Sequence, residues 1–286
     1  MIKLEENVLL SQYTTFRIGG PARYFFIAKN TEDLVEAVKF ARGKKLPFFI
    51  LGGGSNLLVS DQGFNGLVIK AENQGLKLDK NIIIAEAGVS LAKLVKLSMD
   101  SSLTGLEWAI GIPGVIAGAV RGNTGAFGQS ISESVEKVEV LNDELEKVVL
   151  NRSDCCFDYR ESVFKKSGDI ILSVELKLER GDKEKSQETI KEHLIQRLDK
   201  NPTGYPSAGC IFKNPKPLAT GQLIDQCGLK GKKIGQAMIS SKHANFIVNL
   251  DGAKAEDVIE LIKIIKRLVK EKFNVDLQEE VQYLGF

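Results

Sequence analysis

Histidine and cysteine are scarce in this 286-residue chain: two of the first, His193 and His243, and four of the second, Cys155, Cys156, Cys210 and Cys227. No C-x-x-C pair occurs, and the adjacent Cys155 and Cys156 cannot easily bridge each other. A zinc site would therefore be hard to assemble, and no metal ligand set is expected. An excess of either charge is also missing. Lysine and arginine number 39 against 37 aspartates and glutamates, a net charge of +2. The signs are intermixed, as in Lys183–Lys191, so no nucleic-acid partner is expected. Long apolar runs are absent too. MIKLEENVLL has no core resembling a signal peptide, and nothing approaches a membrane span. The expected location is a reducing cytoplasm with the cysteines as thiols. Two nucleotide signatures fail as well. Leu57 occupies the third glycine position of a G-x-G-x-x-G, and no G-x-x-x-x-G-K-[ST] occurs.

What is present is ordinary globular composition, 43% hydrophobic and 27% charged, in a length that suits about two domains. Alternation and helical spacing predict strands at Ala22–Ala28, Pro47–Leu51, Leu67–Lys70 and Asn81–Gly88, with helices at Glu32–Arg42 and Leu91–Met99. Further strands are predicted at Ser134–Asn142, Leu145–Leu150 and Ile170–Leu178. The polar run Glu179–Ser186 is the expected linker. Beyond it, helices are predicted at Gln187–Leu198, stopped by Asn201-Pro202, at Gly221–Cys227, ended by Gly228, and at Glu256–Phe273. The pattern argues α+β.

Two glycine-rich stretches stand out. Gly52-Gly53-Gly54-Ser55-Asn56 follows a strand, and bare backbone there would let N–H groups approach an anion. The alternative is a turn chosen for positive φ. Gly111–Gly128 contains six glycines, and small residues over such a length pack poorly as core. An extended cofactor lying along that backbone is the economical explanation, a close-packed turn the competing one.

Read together, Tyr13–Ala22, Leu51–Leu58, Gly111–Gly128, the segment Tyr205-Pro-Ser-Ala-Gly-Cys-Ile-Phe-Lys-Asn-Pro215, Ala219–Leu229, Gly231–Ser241, His243–Phe246 and the closing Glu280–Gly285 resemble the UDP-N-acetylenolpyruvoylglucosamine reductase family, in its shorter type. The resemblance runs from about Ser11 to the end. It implies an α+β protein with a vanillyl-alcohol-oxidase/PCMH-type FAD-binding portion, followed by a smaller α+β substrate-binding domain. The flavin portion would be residues 1–185, in two subdomains divided near residue 70. The substrate domain would be 186–286, its last strand packing back on the flavin portion. FAD would be noncovalent, since no His or Cys sits in either glycine loop. Its contacts would come from Gly52, Gly53, Gly54, Ser55, Asn56, Gly111, Pro113, Gly114, Gly118 and Asn123. NADPH would donate the hydride, and UDP-N-acetylglucosamine enolpyruvate would be the substrate in the same cleft.

The resemblance further implies that Arg160, Cys210 and Glu280 are catalytic and that Lys213, Asn214 and Tyr159 contact substrate. The chemistry suits these types. Hydride addition to an enolpyruvyl carbon leaves negative charge that a guanidinium can stabilise with two parallel hydrogen bonds, and an acid must then protonate the neighbouring carbon. Cys210 departs from the serine more usual in the family. A thiol, with a reference pKa of about 8.5, is a much stronger acid than an alcohol. Gly122 and Thr124 are a second departure. Two other readings compete: an FAD oxidase of small alcohols, which leaves the C-terminal segments unexplained, and a noncatalytic UDP-sugar-binding module.

Overall fold

A computed structural model describes residues 2–215 and 217–286; Met1 and Lys216 lie outside the described residues. Six α-helices occur among them: α1 (Thr31–Gly43), α2 (Leu91–Asp100), α3 (Ile116–Arg121), α4 (Lys183–Lys200), α5 (Thr220–Gln226) and α6 (Ala255–Phe273). The chain forms two compact units. Among the described residues, unit 1 comprises 2–4, 25–53 and 67–197, and unit 2 comprises 5–24, 54–66, 198–215 and 217–286.

Unit 1 is built on a five-stranded antiparallel sheet in the order Lys147–Asn151, Val135–Leu141, Ile170–Lys177, Ile82–Glu86, Leu76–Asp79. One face buries Ile83, Ala85, Val138, Val140, Val174 and Leu176 in a continuous core with α2, α3 and Trp108. Alternation explains the strand assignments, because every second side chain reaches that core. Helix α1 is started by Asn30, whose side chain accepts from Asp33 N at 2.7 Å. Near its end Arg42 donates to the carbonyls of Asn142 and Asp143 at 2.7 and 2.8 Å. Next to α1, Phe48–Leu51 runs parallel to Leu67–Lys70 and delivers the chain into Gly52.

Two expectations are corrected here. The Glu179–Ser186 run is not a linker. Glu179–Arg180 pairs with Leu103–Thr104, and α4 starts at Lys183, with the Asp182 carboxylate accepting from Glu184 N and Lys185 N at 2.8 and 3.1 Å. A polar run read as solvated chain is instead a helix N-terminus, the place where acidic and hydroxyl side chains satisfy otherwise unpaired N–H groups. Nor is Gly111–Gly128 simply exposed backbone. Its centre is α3, and Ile116, Ala119 and Val120 are core residues. Small residues there let a short helix sit close to the sheet.

Unit 2 carries a four-stranded antiparallel sheet in the order Ser207–Cys210, Phe246–Asn249, Ala237–Ile239, Lys233–Ile234. Helix α6 buries Val258, Leu261, Ile262, Ile265 and Val269, with Phe16, Ile18 and Leu58 in the same core. The closing strand Gln282–Leu284 pairs in parallel with Leu57–Val59. These units do not follow the division expected at 185/186, which falls inside α4. Strand pairing joins residues near 58 to the C-terminus, and a reading along the chain does not register such long-range pairs.

Candidate functional site

In unit 1 the turn Asp158–Glu161 presents Arg160. Asp158 and Glu161 exchange backbone hydrogen bonds, Asp158 N to Glu161 O at 3.1 Å and the reverse at 3.0 Å. That closes a two-residue hairpin and puts Arg160 at φ +58, a left-handed conformation uncommon outside glycine and asparagine. The guanidinium donates to Gly125 O at 3.0 Å and to Asn123 O at 3.5 Å. It also lies 5.4 Å from the ring centre of Tyr159. The Lys165 ammonium donates to the Arg160 carbonyl. Asn123 is nearly buried; its amide donates to Asp158 O at 2.8 Å and accepts from Ser132 N at 3.3 Å. Its side chain thus holds the turn that carries Arg160.

In unit 1, Gly52 and Gly53 pack against the second glycine stretch. A Cβ on Gly53 would lie 2.7 Å from the Gly114 Cα, and one on Gly52 would lie 2.6 Å from Val115 Cγ2. Lys70, half-buried, donates from Nζ to the Gly52 carbonyl at 2.7 Å, and burial lowers its pKa although Glu72 opposes the shift. The sequence reading missed Lys70, whose only signal was a lysine in an otherwise apolar strand. Among the described residues, the N–H groups of Gly53, Gly54 and Ser55 meet no acceptor in the chain, the property of an anion-binding turn. At Gly118 an added Cβ would meet no protein atom within 4 Å, so packing does not demand glycine there. Gly111 is different: a Cβ would press on Arg197 and Leu194 of α4 at 3.2 and 3.4 Å. Pro113 lies between Gly111 and Gly114 in the same loop.

In unit 2 the segments around Cys210 and Glu280 are adjacent. Glu280 N donates to Ile211 O at 2.8 Å, and Phe212 and Glu279 form a bridge. Cys210 is half-buried, next to Gly209 at φ +76. The Asn56 amide donates to Glu280 O at 3.0 Å, while Gln282 N donates to Asn56 O at 3.0 Å. Asn56 therefore ties the glycine turn to the segment that carries Glu280, just ahead of the Gln282–Leu284 strand. Lys213 N donates to Gln278 O at 2.9 Å. Asn214 accepts from Thr220 N at 3.0 Å, satisfying a first-turn N–H of α5. His243 accepts from Asn245 N through Nδ1 at 3.2 Å, and burial lowers its pKa with a further push from Lys230. On the outer side of the closing strand, Glu279 accepts from Lys266 and from the Tyr283 hydroxyl, each at 2.6 Å. Burial and that hydrogen bond raise the Tyr283 pKa.

Residues 22–149 match the family model for an FAD binding domain, and with the α+β architecture this defines the chain as a flavoprotein. Residues 201–284 match the UDP-N-acetylenolpyruvoylglucosamine reductase C-terminal domain. The UDP-N-acetylenolpyruvoylglucosamine reductase of Caldanaerobacter subterraneus subsp. tengcongensis is 40% identical over 284 residues, covering 99% of this chain and 94% of that protein. That of Caldicellulosiruptor bescii is 42% identical over 279 residues, covering 96% and 89%. The crystal structure of UDP-N-acetylenolpyruvylglucosamine reductase (MurB) from Thermus caldophilus is similar over 100% of both chains, with a TM-score of 0.86 at 36% identity. The chain belongs to the UDP-N-acetylenolpyruvoylglucosamine reductase family. No group of three or more candidate metal ligands occurs among the described residues, and no helix is long and apolar enough to cross a membrane.

Proposed function

We propose that the chain reduces UDP-N-acetylglucosamine enolpyruvate to UDP-N-acetylmuramate at the expense of NADPH, in cytoplasmic synthesis of bacterial cell-wall precursors. The adjacency of the Cys210 and Glu280 segments, inside the portion that matches the reductase C-terminal domain, carries this reading. Bound FAD would relay a hydride from NADPH to the terminal enolpyruvyl carbon. The unpaired N–H groups of Gly53, Gly54 and Ser55 suit its pyrophosphate, and Gly114 and Gly118 offer backbone without side chains. The amides of Asn56 and Asn123 serve the chain itself, so any hold they have on the cofactor is shared with that work.

In this reading Arg160, fixed by two carbonyls and its turn, stabilises the negative charge that develops on the substrate carboxylate. Cys210 gives its thiol proton to the α-carbon, and Glu280 assists by hydrogen bonding. Lys213 faces the diphosphate as a point charge. Asn214 and Tyr159 complete the substrate contacts. One cleft would serve NADPH and the UDP-sugar in turn.

The test is anaerobic NADPH oxidation by the purified protein with and without the UDP-sugar. Sugar-dependent turnover yielding the lactyl ether is expected. Flavin reduction without reoxidation by the sugar would overturn the substrate assignment, and rapid oxygen consumption with simple alcohols would favour an oxidase.

A further inference from the structure

Cys210 and Glu280 belong to separate stretches of chain, and a proton donor is useful only if its backbone is held still. The strand that ends on Cys210 shifts register against Phe246–Asn249 between Ser207 and Cys210, and it stops there, so Ile211 and Phe212 lie beyond its ladder. Backbone groups beyond the end of a ladder need other partners. Asn245 supplies them. Its side-chain oxygen accepts from Phe212 N at 3.0 Å, its amide donates to Phe212 O at 2.8 Å, and its own carbonyl accepts from Ile211 N at 2.8 Å. The residue is 2% exposed, so these bonds are not shared with water. Ile211 O in turn accepts from Glu280 N at 2.8 Å. The loop below is itself braced. Ser240 Oγ accepts from Lys242 N and His243 N at 3.1 and 3.2 Å, and His243 Nδ1 accepts from Asn245 N.

We infer that Asn245 is a positioning residue for proton delivery, clamping Ile211 and Phe212 so that Cys210 keeps its register with Glu280. The inference rests on the reductase reading for its kinetic consequence and on geometry alone for its effect on the thiol. An aspartate at this position keeps the acceptor for Phe212 N but sets a second oxygen against Phe212 O, which repels the carbonyl it formerly bound. A serine keeps at most one of the two side-chain bonds.

The holoenzymes of wild type, Asn245→Asp and Asn245→Ser are compared in separate half-reactions by stopped flow. Flavin reduction by NADPH is expected to stay within about twofold of wild type, because that step uses no proton donor from this strand. Reoxidation by the UDP-sugar is expected to slow about tenfold to a hundredfold, the scale of a small misplacement. The solvent deuterium isotope effect on reoxidation should rise as proton transfer becomes limiting. The alkylation rate of Cys210 by iodoacetamide, read by peptide mass spectrometry, should change by roughly threefold or more. That of the exposed Cys156, in unit 1, should not change. Should one variant fail to fold, the other is read.

Folded variants with wild-type reoxidation, isotope effect and Cys210 alkylation would overturn the inference. So would equal slowing of both half-reactions with Cys210 alkylation unchanged, which marks a general structural role. If wild type itself shows no reoxidation by the sugar, the reductase reading fails, and the alkylation comparison still decides whether Asn245 holds Cys210.

Discussion

Arg160 combines a left-handed backbone with a guanidinium tied to two carbonyls, and this combination shows why lysine is no substitute. An ammonium is a compact point charge without the planar fork that meets a carboxylate through two parallel bonds. Arg160→Lys should lower sugar-dependent reoxidation roughly a hundredfold or more, the usual cost of losing a transition-state donor, while reduction by NADPH is retained; stopped flow separates the two steps. Cys210→Ser makes a different prediction. Deprotonation of a thiol donor should end activity on the alkaline side, so a high-pH limb in the rate profile of wild type should disappear in the serine variant. An unchanged limb would take the proton-donor role away from Cys210. His243 acts on stability. Burial favours its neutral form, so its folded pKa lies below the ordinary value near 6.5. As pH falls below about 6.5 the unfolded chain takes up the proton and the folded chain resists it, so stability present above that pH is lost on acidification. His243→Asn, which keeps an acceptor near the Nδ1 position, should flatten this part of the stability profile measured by urea titration.

Among the elements, the glycine turn tests the balance between packing and ligand. Alanine at Gly53 must displace the Gly114 backbone, which its Cβ would approach to 2.7 Å, and backbone cannot move aside as a flexible side chain can. Gly53→Ala should therefore cost about 1–3 kcal/mol and release flavin, both visible in thermal melts and absorbance at the flavin band. Gly118→Ala meets no protein atom; it should leave the stability of flavin-free protein unchanged and weaken flavin retention alone. At this scale the sequence was largely legible. Helix α6 and the central strands follow from periodicity, because a buried face imposes its own spacing. Helix α4 was read from Gln187 onward, without its polar first turn. The residues proposed for the site, Arg160, Cys210 and Glu280, rest on family resemblance and not on local pattern. Neither Lys70 nor Asn245 was singled out from the sequence, since their partners lie 18 and 33 positions away.

At the scale of the whole molecule, unit 2 is assembled from three separate stretches of chain. Phe16, Ile18 and Leu58 come from the first two and share one core with α6 from the third. A fragment of residues 186–286, the division suggested by sequence alone, would lack these side chains and the partner of its closing strand. It should show no cooperative urea transition and no fixed aromatic signals in near-ultraviolet circular dichroism. A sharp transition would mean that the C-terminal portion folds on its own.

The parallel pairing of the closing strand also bears on how each molecule is made. Asn56 and Glu280 are separated by 224 positions, so during synthesis from the N-terminus Asn56 waits through 224 further residues for that partner, and the neighbouring Leu57–Val59 strand waits with it. Closing so distant a contact is slow, and unpaired strands and apolar surface are exposed in the meantime. Nascent chains should accordingly lean on chaperones late in synthesis, when unit 1 already has its sequence complete. A product that stops short of Gln282 leaves Leu58 with an open strand edge beside it, a template for pairing with another chain.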